Sequence, residues 1–561
     1  MKGSQSTIAV NVIATTDSKT QNEARSSYST NSEQSSTTKR KDLSFWMILF
    51  SLCLSMFCSA LELTAVPSAM PTMTAAIHGV DFVWVNSAFS LASTSLIPTT
   101  GGLADIFGRQ SVILSSFFFF ALGSALCGSA QNMPWLVAGR ALQGVGSGGI
   151  QSLTMIILSD LVSLQERARY NGFIGLVWAI SATCGPLIGG GFAKSGNWRW
   201  LFYINLPLSG LCATLIVVFL RLRTPSQSLK EKLLRIDWIG NILIVSSSAS
   251  VVIGLSYGGV KYPWSSANVV VPLVLGFIGM AVFVAYECLY APEPIIPMRL
   301  LSNRTSVSGY IQTFITSLIV LSFVIFQPAY FQACFGFSPI HSGALLVPAS
   351  ALLGITLILA SVSVTITKKY RPQLFIGWVL FVIGCGMISS LKYDSSIPKG
   401  FGFPMFSGVA GGIMFALTYF PVLAPLPVSE NAHALALFAF FRSFAGVWAI
   451  SIGSTILDNT ISRKLSPDIL SMFPGGASGV YFSIPILSSI PDPARTEIRI
   501  AFADGISLIW EVLIGFAIIG LLSCFLMKGL PLHTELDKKW GLEHGEELVT
   551  RNSSDTNVTN V

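Results

Sequence analysis

Residues 135–151 read W-L-V-A-G-R-A-L-Q-G-V-G-S-G-G-I-Q, an apolar run of helical length with one arginine, Arg140, inside it. A guanidinium near the centre of a bilayer costs about 3 kcal/mol on insertion scales, so an intramembrane Arg is expected to face a protein interior and to have a partner there. Gly144, Gly146, Gly148 and Gly149 follow, at a spacing that clears a helix face for the close approach of another helix. The run therefore predicts a packed transmembrane helix.

The rest of the chain has the same character. Its 561 residues are 52% hydrophobic and only 11% charged, with a mean hydropathy of +0.66, where a soluble domain carries roughly a quarter charged residues. This composition predicts an all-α polytopic membrane protein. The net charge of +7 does not point to nucleic acid, because Lys and Arg sit mainly in short connections, where they set orientation. The cysteines lie in apolar runs without a CxxC pair, and no metal or cofactor is expected.

Residues 1–43 are rich in Ser, Thr, Asn, Gln and Lys and predict a disordered tail, with Lys39, Arg40 and Lys41 placing the N-terminus in the cytoplasm. About fourteen apolar runs follow, each near twenty residues: 45–66, 82–103, 112–130, 135–158, 173–192, 200–220, 236–255, 269–290, 310–331, 342–365, 374–390, 403–423, 435–456 and 506–527. The even count, and basic residues at Arg109, Arg167, Arg169, Arg221, Arg223, Lys230, Lys232, Arg235, Arg299, Arg304, Lys368, Lys369 and Arg371, put both termini on the cytoplasmic side. Residues 457–505 read as a long outer loop, its apolar core interrupted by Pro485 and closed by Pro491, and residues 528–561 as a cytoplasmic tail. The sequons at Asn303, Asn552 and Asn557 fall on the inner side and are expected to carry no glycan.

Between the second and third runs stands G-G-L-A-D-I-F-G-R-Q, residues 101–110. Asp105 and Arg109 are expected to flank a tight cytoplasmic turn, with Gly101 and Gly108 letting helix ends approach, and Asp105 able to latch a neighbouring helix end in one conformation only. The fifth run carries S-A-T-C-G-P-L-I-G-G-G, residues 181–191, in which Pro186 bends the helix while Gly185, Gly189 and Gly190 permit tight packing at the bend. In the first run, L-E-L-T-A-V-P-S-A-M-P places Glu62 in apolar surroundings, where burial disposes a carboxyl to take up a proton.

These stretches resemble signatures of the major facilitator superfamily. Gly101, Leu103, Asp105, Gly108 and Arg109 match its G-x-L-a-D-r-x-G-r-k loop, with Ile106 and Gln110 in place of two basic residues. Leu136, Arg140, Gln143, Gly144 and Gly146 match L-x-x-x-R-x-x-Q-G-x-G, a position linked in the family to proton coupling, and residues 181–190 are similar to its antiporter motif, with Ser181 for the first glycine. Residues 61–71 and N-W-R-W-L-F-Y-I-N-L-P at 197–207 resemble the fourteen-helix drug:proton antiporter branch, with Glu62 where that branch has Asp and Pro67 replacing Asn. The resemblance implies the major facilitator fold: two six-helix halves, residues 44–221 and 309–527, with two inserted helices in 222–308.

It further implies a proton-coupled exporter of small amphipathic compounds, monomeric and set in the plasma membrane or an internal one, using Glu62 and Arg140 for coupling. Asp105 and Arg109 would close an inner gate, Arg442 would add a second gate charge, and Gln143, Trp178, Phe326 and Tyr330 would face a drug-sized cavity. Plainer readings stay open: Arg140 bonding only neighbouring carbonyls, Glu62 lining a vestibule, the glycines serving packing alone, Arg442 snorkelling to the edge. The alternative function is an uptake carrier or facilitator for a nutrient or iron chelate. No G-x-x-x-x-G-K-[ST] loop is present, so ATP hydrolysis, and enzymatic activity in general, is not expected.

Overall fold

Pro98 shows how this chain builds its helices. It ends the helix α2 (Val83–Leu96), because it has no N–H to give, and α3 (Thr99–Phe107) starts directly after it. The carbonyls left over are taken by the next two side chains, Thr99 Oγ1 donating to Leu96 O at 2.8 Å and Thr100 Oγ1 to Ile97 O at 2.7 Å. The run expected as one span over 82–103 is therefore two helices at a break that leaves these carbonyls satisfied. Residues 101–107 are likewise helix and not a loop. The turn is Gly108 alone, whose φ of 88° suits glycine, and Arg109 already opens α4 (Arg109–Gly128).

The computed structural model describes residues 42–77, 83–220, 228–259, 262–292, 294–473, 480–481 and 484–532. Among these there is no strand, only an isolated bridge between Gly258 and Tyr262. The remaining long helices are α1 (Leu43–Ala76), α5 (Met133–Leu161), α6 (Leu164–Lys194), α7 (Asn205–Phe219), α8 (Trp238–Tyr257), α9 (Ala267–Leu289), α10 (Arg304–Phe335), α11 (Pro339–Thr367), α12 (Arg371–Ser389), α13 (Ile397–Leu417), α14 (Asn431–Lys464) and α15 (Ala494–Leu526). Starts and stops follow local chemistry. Asn132 caps α5 by accepting from Trp135 N at 2.9 Å, Asp237 caps α8 through Gly240 N at 2.8 Å, and Gly336 ends α10 in the left-handed conformation.

Twelve segments of the described chain are long and apolar enough to cross a membrane. The expected spans at 82–103 and 173–192 are not among them: the first is split at Pro98, and residue 82 and some side chains of the second fall outside the described residues. Both are helical all the same. The stretch 457–505 is not loop throughout, since α14 runs on to Lys464 and α15 begins at Ala494. Of the expected tails 1–43 and 528–561, residues 1–41 and 533–561 lie outside the described residues, as do Arg221 and Arg223, while Leu43 already opens α1.

From Met47 onward the described residues pack as one body. The glycines of α5 serve two neighbours rather than one: a Cβ on Gly144 or Gly148 would strike the Phe89 or Ser93 carbonyl of α2, and one on Gly146 or Gly149 would strike Phe120 or Ser116 of α4. In α9, Gly276 lies against Val251 N of α8, with 2.8 Å left for a Cβ. Opposite that seam α9 exposes Val270, Val274, Leu275 and Ile278, a face suited to lipid.

Candidate functional site: a buried ion pair and a latched helix end

Arg140 points into the protein. Its Nη1 donates to Glu62 Oε2 at 2.8 Å and to Gln143 Oε1 at 2.6 Å, and its Nε donates to the Val85 carbonyl at 3.0 Å, so α1, α2 and α5 meet at one cation. Phe89 lies beneath it, 4.2 Å from ring centre to guanidinium carbon. Arg140 is 0% and Glu62 1% exposed. The second carboxylate oxygen of Glu62 accepts from the amide of Asn205 at the start of α7, and Gln143 Nε2 donates to Ser124 Oγ of α4 at 2.7 Å. Five helices thus converge on the pair through single side chains or carbonyls. Among the described residues, Arg140 Nη2 and Asn205 Oδ1 have no hydrogen-bond partner. A buried carboxylate this close to its only cation is held by charge-assisted bonds, and taking either partner away would strand the other.

The helix-5 motif touches this site through α1. Gly185 packs so closely on Thr64 that a side chain there would collide with it, and Thr64 Oγ1 donates to Ser181 O at 3.2 Å. Gly189 is buried, whereas Gly190 meets nothing within 4 Å, so the tight packing expected there is absent in this conformation. The side chain of Pro186 lies outside the described residues; the helix runs through it to Lys194.

A second charged centre lies at the other end of α5. Arg109 donates from Nε to Asp160 Oδ2 at 2.9 Å and from Nη1 to Asp105. Asp105 Oδ2 is 3.5 Å from His433 Nδ1 on α14, which belongs to the C-terminal helices. Gly101 makes this approach possible, since a Cβ there would stand 3.0 Å from the Ala432 carbonyl. Further along the same interface Thr94 and Ser443 share a hydrogen bond of 2.7 Å, and Trp178 of α6 meets Phe415 of α13 at 5.6 Å. At this end the N- and C-terminal helices are in contact.

Other expected site residues fall elsewhere. Phe326 and Tyr330 are fully buried in α10: the ring of Phe326 fills the notch at Gly453, and the Tyr330 hydroxyl donates to Lys392 O at 2.7 Å. Gln143 is part of the Arg140 network. Arg442 lies with its guanidinium carbon 3.7 Å above Phe415, on the Trp178 side of α13. Sequence reasoning missed Asn205, Ser124, Asp160 and His433. The first stood within the quoted 197–207 stretch, and Asp160, a lone acid in an apolar helix, carried the same signal as Glu62.

Residues 52–450 match the model of the Major Facilitator Superfamily. The chain belongs to this superfamily. It is 37% identical over 529 residues to "Efflux pump FUS6" of Gibberella fujikuroi, covering 92% of this chain and 95% of that protein, and 35% identical to "MFS-type efflux pump LUC4" of Fusarium sp, covering 94% and 95%. It is also 35% identical to "MFS-type efflux pump MMF1" of Pseudozyma antarctica, covering 92% and 96%. Among solved structures, the proton:xylose symporter XylE (TM-score 0.56, 11% identity, 88% of this chain and 98% of that one) has the same fold. So does the human organic anion transporter MFSD10 (TM-score 0.52, 14% identity, 85% and 100%). This superfamily member is accordingly a multi-pass membrane transporter.

Proposed function

We propose that this protein exports small amphipathic compounds in exchange for protons by alternating access, Glu62 carrying the proton and Arg140 reading its charge. The observation that carries the reading is the Glu62–Arg140 pair, fully buried in the middle of apolar helices. Adding a proton to Glu62 removes the charge that Nη1 faces and leaves Arg140 with the Val85 and Gln143 oxygens, so proton binding selects between two arrangements of one packed network. Thr64, two residues on, hands the change to α6 through Ser181, and α6 reaches the C-terminal helices through Trp178. Asp105, Arg109, Asp160 and His433 hold one end shut meanwhile.

Export, rather than uptake, is supported by the relatives named efflux pumps and by one named for the acurin A biosynthesis cluster, 34% identical over 521 residues. The basic residues of the connections assign the Asp105 end and both termini to the cytoplasm, and fourteen spans are consistent with this if α2 with α3, and α6, cross as well. The protein would then work as a monomer in the plasma membrane. The test is a growth-inhibition panel on cells with and without the protein, repeated with Glu62→Gln and Arg140→Ala, together with efflux from cells whose proton gradient is collapsed. Resistance lost in both variants and with the gradient is expected; resistance unchanged in both variants overturns the coupling roles, and accumulation instead of efflux overturns the direction.

A further inference from the structure

We propose that Arg442 is the counter-charge for an organic carboxylate, so that the compounds moved by this protein are amphipathic anions with a flat apolar body. This names the substrate class for the export reading above and rests on it for direction, though not for binding.

Arg442, half-buried, differs from the buried arginines Arg109, Arg140 and Arg167. Arg109 and Arg140 are each held by acids, and Arg167 donates to the Ser159 carbonyl at 3.0 Å. Arg442 has its guanidinium carbon 3.7 Å over the Phe415 ring and 5.9 Å from Phe438, and among the described residues it has neither a hydrogen-bond acceptor nor an acid. Of the acids on other elements packed against α14, Asp105 is engaged by Arg109, Asp504 by Lys464, Glu511 is exposed on α15, and Glu430 precedes the helix, twelve residues from Arg442. α2, α10 and α13 contain no Asp or Glu; the only acid of α6 is Glu166, and the only acid of α14 is Asp458, sixteen residues and roughly 24 Å further on. Asp160 of α5 is engaged by Arg109.

Its depth makes that isolation costly. Arg442 lies seven residues, about 10 Å, inside the apolar run 435–456. A cation there without an acid is expensive, and a ring face offsets only part of the cost. It is not sealed in, however. Arg442, Phe415 and Trp178 are all half-buried, so the stack borders open space where the N- and C-terminal helices meet. A guanidinium presents two parallel N–H donors that fit a carboxylate edge-on, and the Trp178 and Phe415 faces beside it suit a planar apolar group.

The experiment compares two probes of one shape, 1-naphthaleneacetate and the uncharged 1-naphthaleneacetamide. Binding to the purified full-length protein in detergent is followed by calorimetry, and gradient-driven flux is measured separately in proteoliposomes. The anion is expected to bind at least about tenfold tighter than the amide, the ratio to fall to within about twofold in Arg442→Gln, and Arg442→Lys to keep part of it. Phe415→Leu is expected to weaken both probes alike, which keeps the test alive should the glutamine variant misfold. Equal or absent binding of the two probes, or a preference that survives Arg442→Gln, overturns the assignment. A preference lost in Arg442→Gln without proton-driven efflux would keep the anion site and discard the export reading.

Discussion

The N-terminal helices (residues 47–220) and the C-terminal helices (304–527) solve one packing problem with different chemistry. In the first, α1, α2, α4, α5 and α7 are joined by an arginine and a carboxylate with their amide partners. In the second, a neutral chain does the joining: Trp378 Nε1 donates to Gln312 Oε1 at 3.2 Å, Gln312 Nε2 to Ser308 Oγ at 2.9 Å, and Ser308 Oγ to the Ser523 carbonyl at 2.6 Å. The helix-end turns differ in the same sense. Arg109 ties its end to Asp105 and Asp160, whereas the Lys368–Arg371 turn between α11 and α12 is tied by the Tyr370 hydroxyl, which donates to Lys528 O at 3.0 Å and accepts from Leu530 N. On the proposed coupling, only the charged network would change when a proton arrives, and the neutral one would serve as its fixed counterpart.

Breaking that contrast should have its largest effect at the ion pair. Arg140→Met strands Glu62 and is expected to cost about 3–5 kcal/mol of stability, seen as a lowered thermal midpoint in detergent. Combining it with Glu62→Leu should restore most of the midpoint and none of the proton-driven transport. Recovery of transport in the double variant would make the pair a fastener like its neutral counterpart. Gln312→Leu leaves the Trp378 N–H without its acceptor, costs about 1–3 kcal/mol, and should leave the dependence of transport on the proton gradient untouched.

The turns sharpen the contrast further. Gly108→Ala forces a side chain onto a φ of 88° and should cost about 1–3 kcal/mol, while Lys368, at a φ of 56°, already bears that burden, so Lys368→Gly should stabilise by up to about 1 kcal/mol. Paired midpoint measurements decide it; equal and same-signed shifts would mean the two turns are equivalent. The smallest effect belongs to Asp492, whose carboxyl is held below its usual range by the Thr496 hydroxyl and by Arg495. What it contributes is present above the unfolded carboxylate pKa and fades as pH falls through the lowered value. The carboxyl is exposed, so Asp492→Asn should move the midpoint by no more than about 1 °C at neutral pH.

Much of this was legible from residues, and the exceptions have physical causes. Glu62 and Arg140 could be paired in advance because each is an expensive group in an apolar run. Asn205 and Ser124 could not, since small amides and hydroxyls occur throughout such helices and their facing depends on register and tilt. Residues 101–110 read as a connecting loop around a tight turn; only Gly108 turns, and Gly101 gives the close approach expected of it, beneath Ala432. Phe326 and Tyr330 were chosen by residue type, and type alone says nothing about which way a ring points.

The interruption at Pro98 has a mechanical consequence. Thr99 and Thr100 place their hydroxyls on the Leu96 and Ile97 carbonyls at this break, so the backbone there forms an elbow between two helices. The short arm beyond it carries Gly101 and Asp105, while the long arm before it carries Val85. On the proposed gating role, the contact between Asp105 and His433 would open and shut while Val85, at the far end, keeps its bond to Arg140.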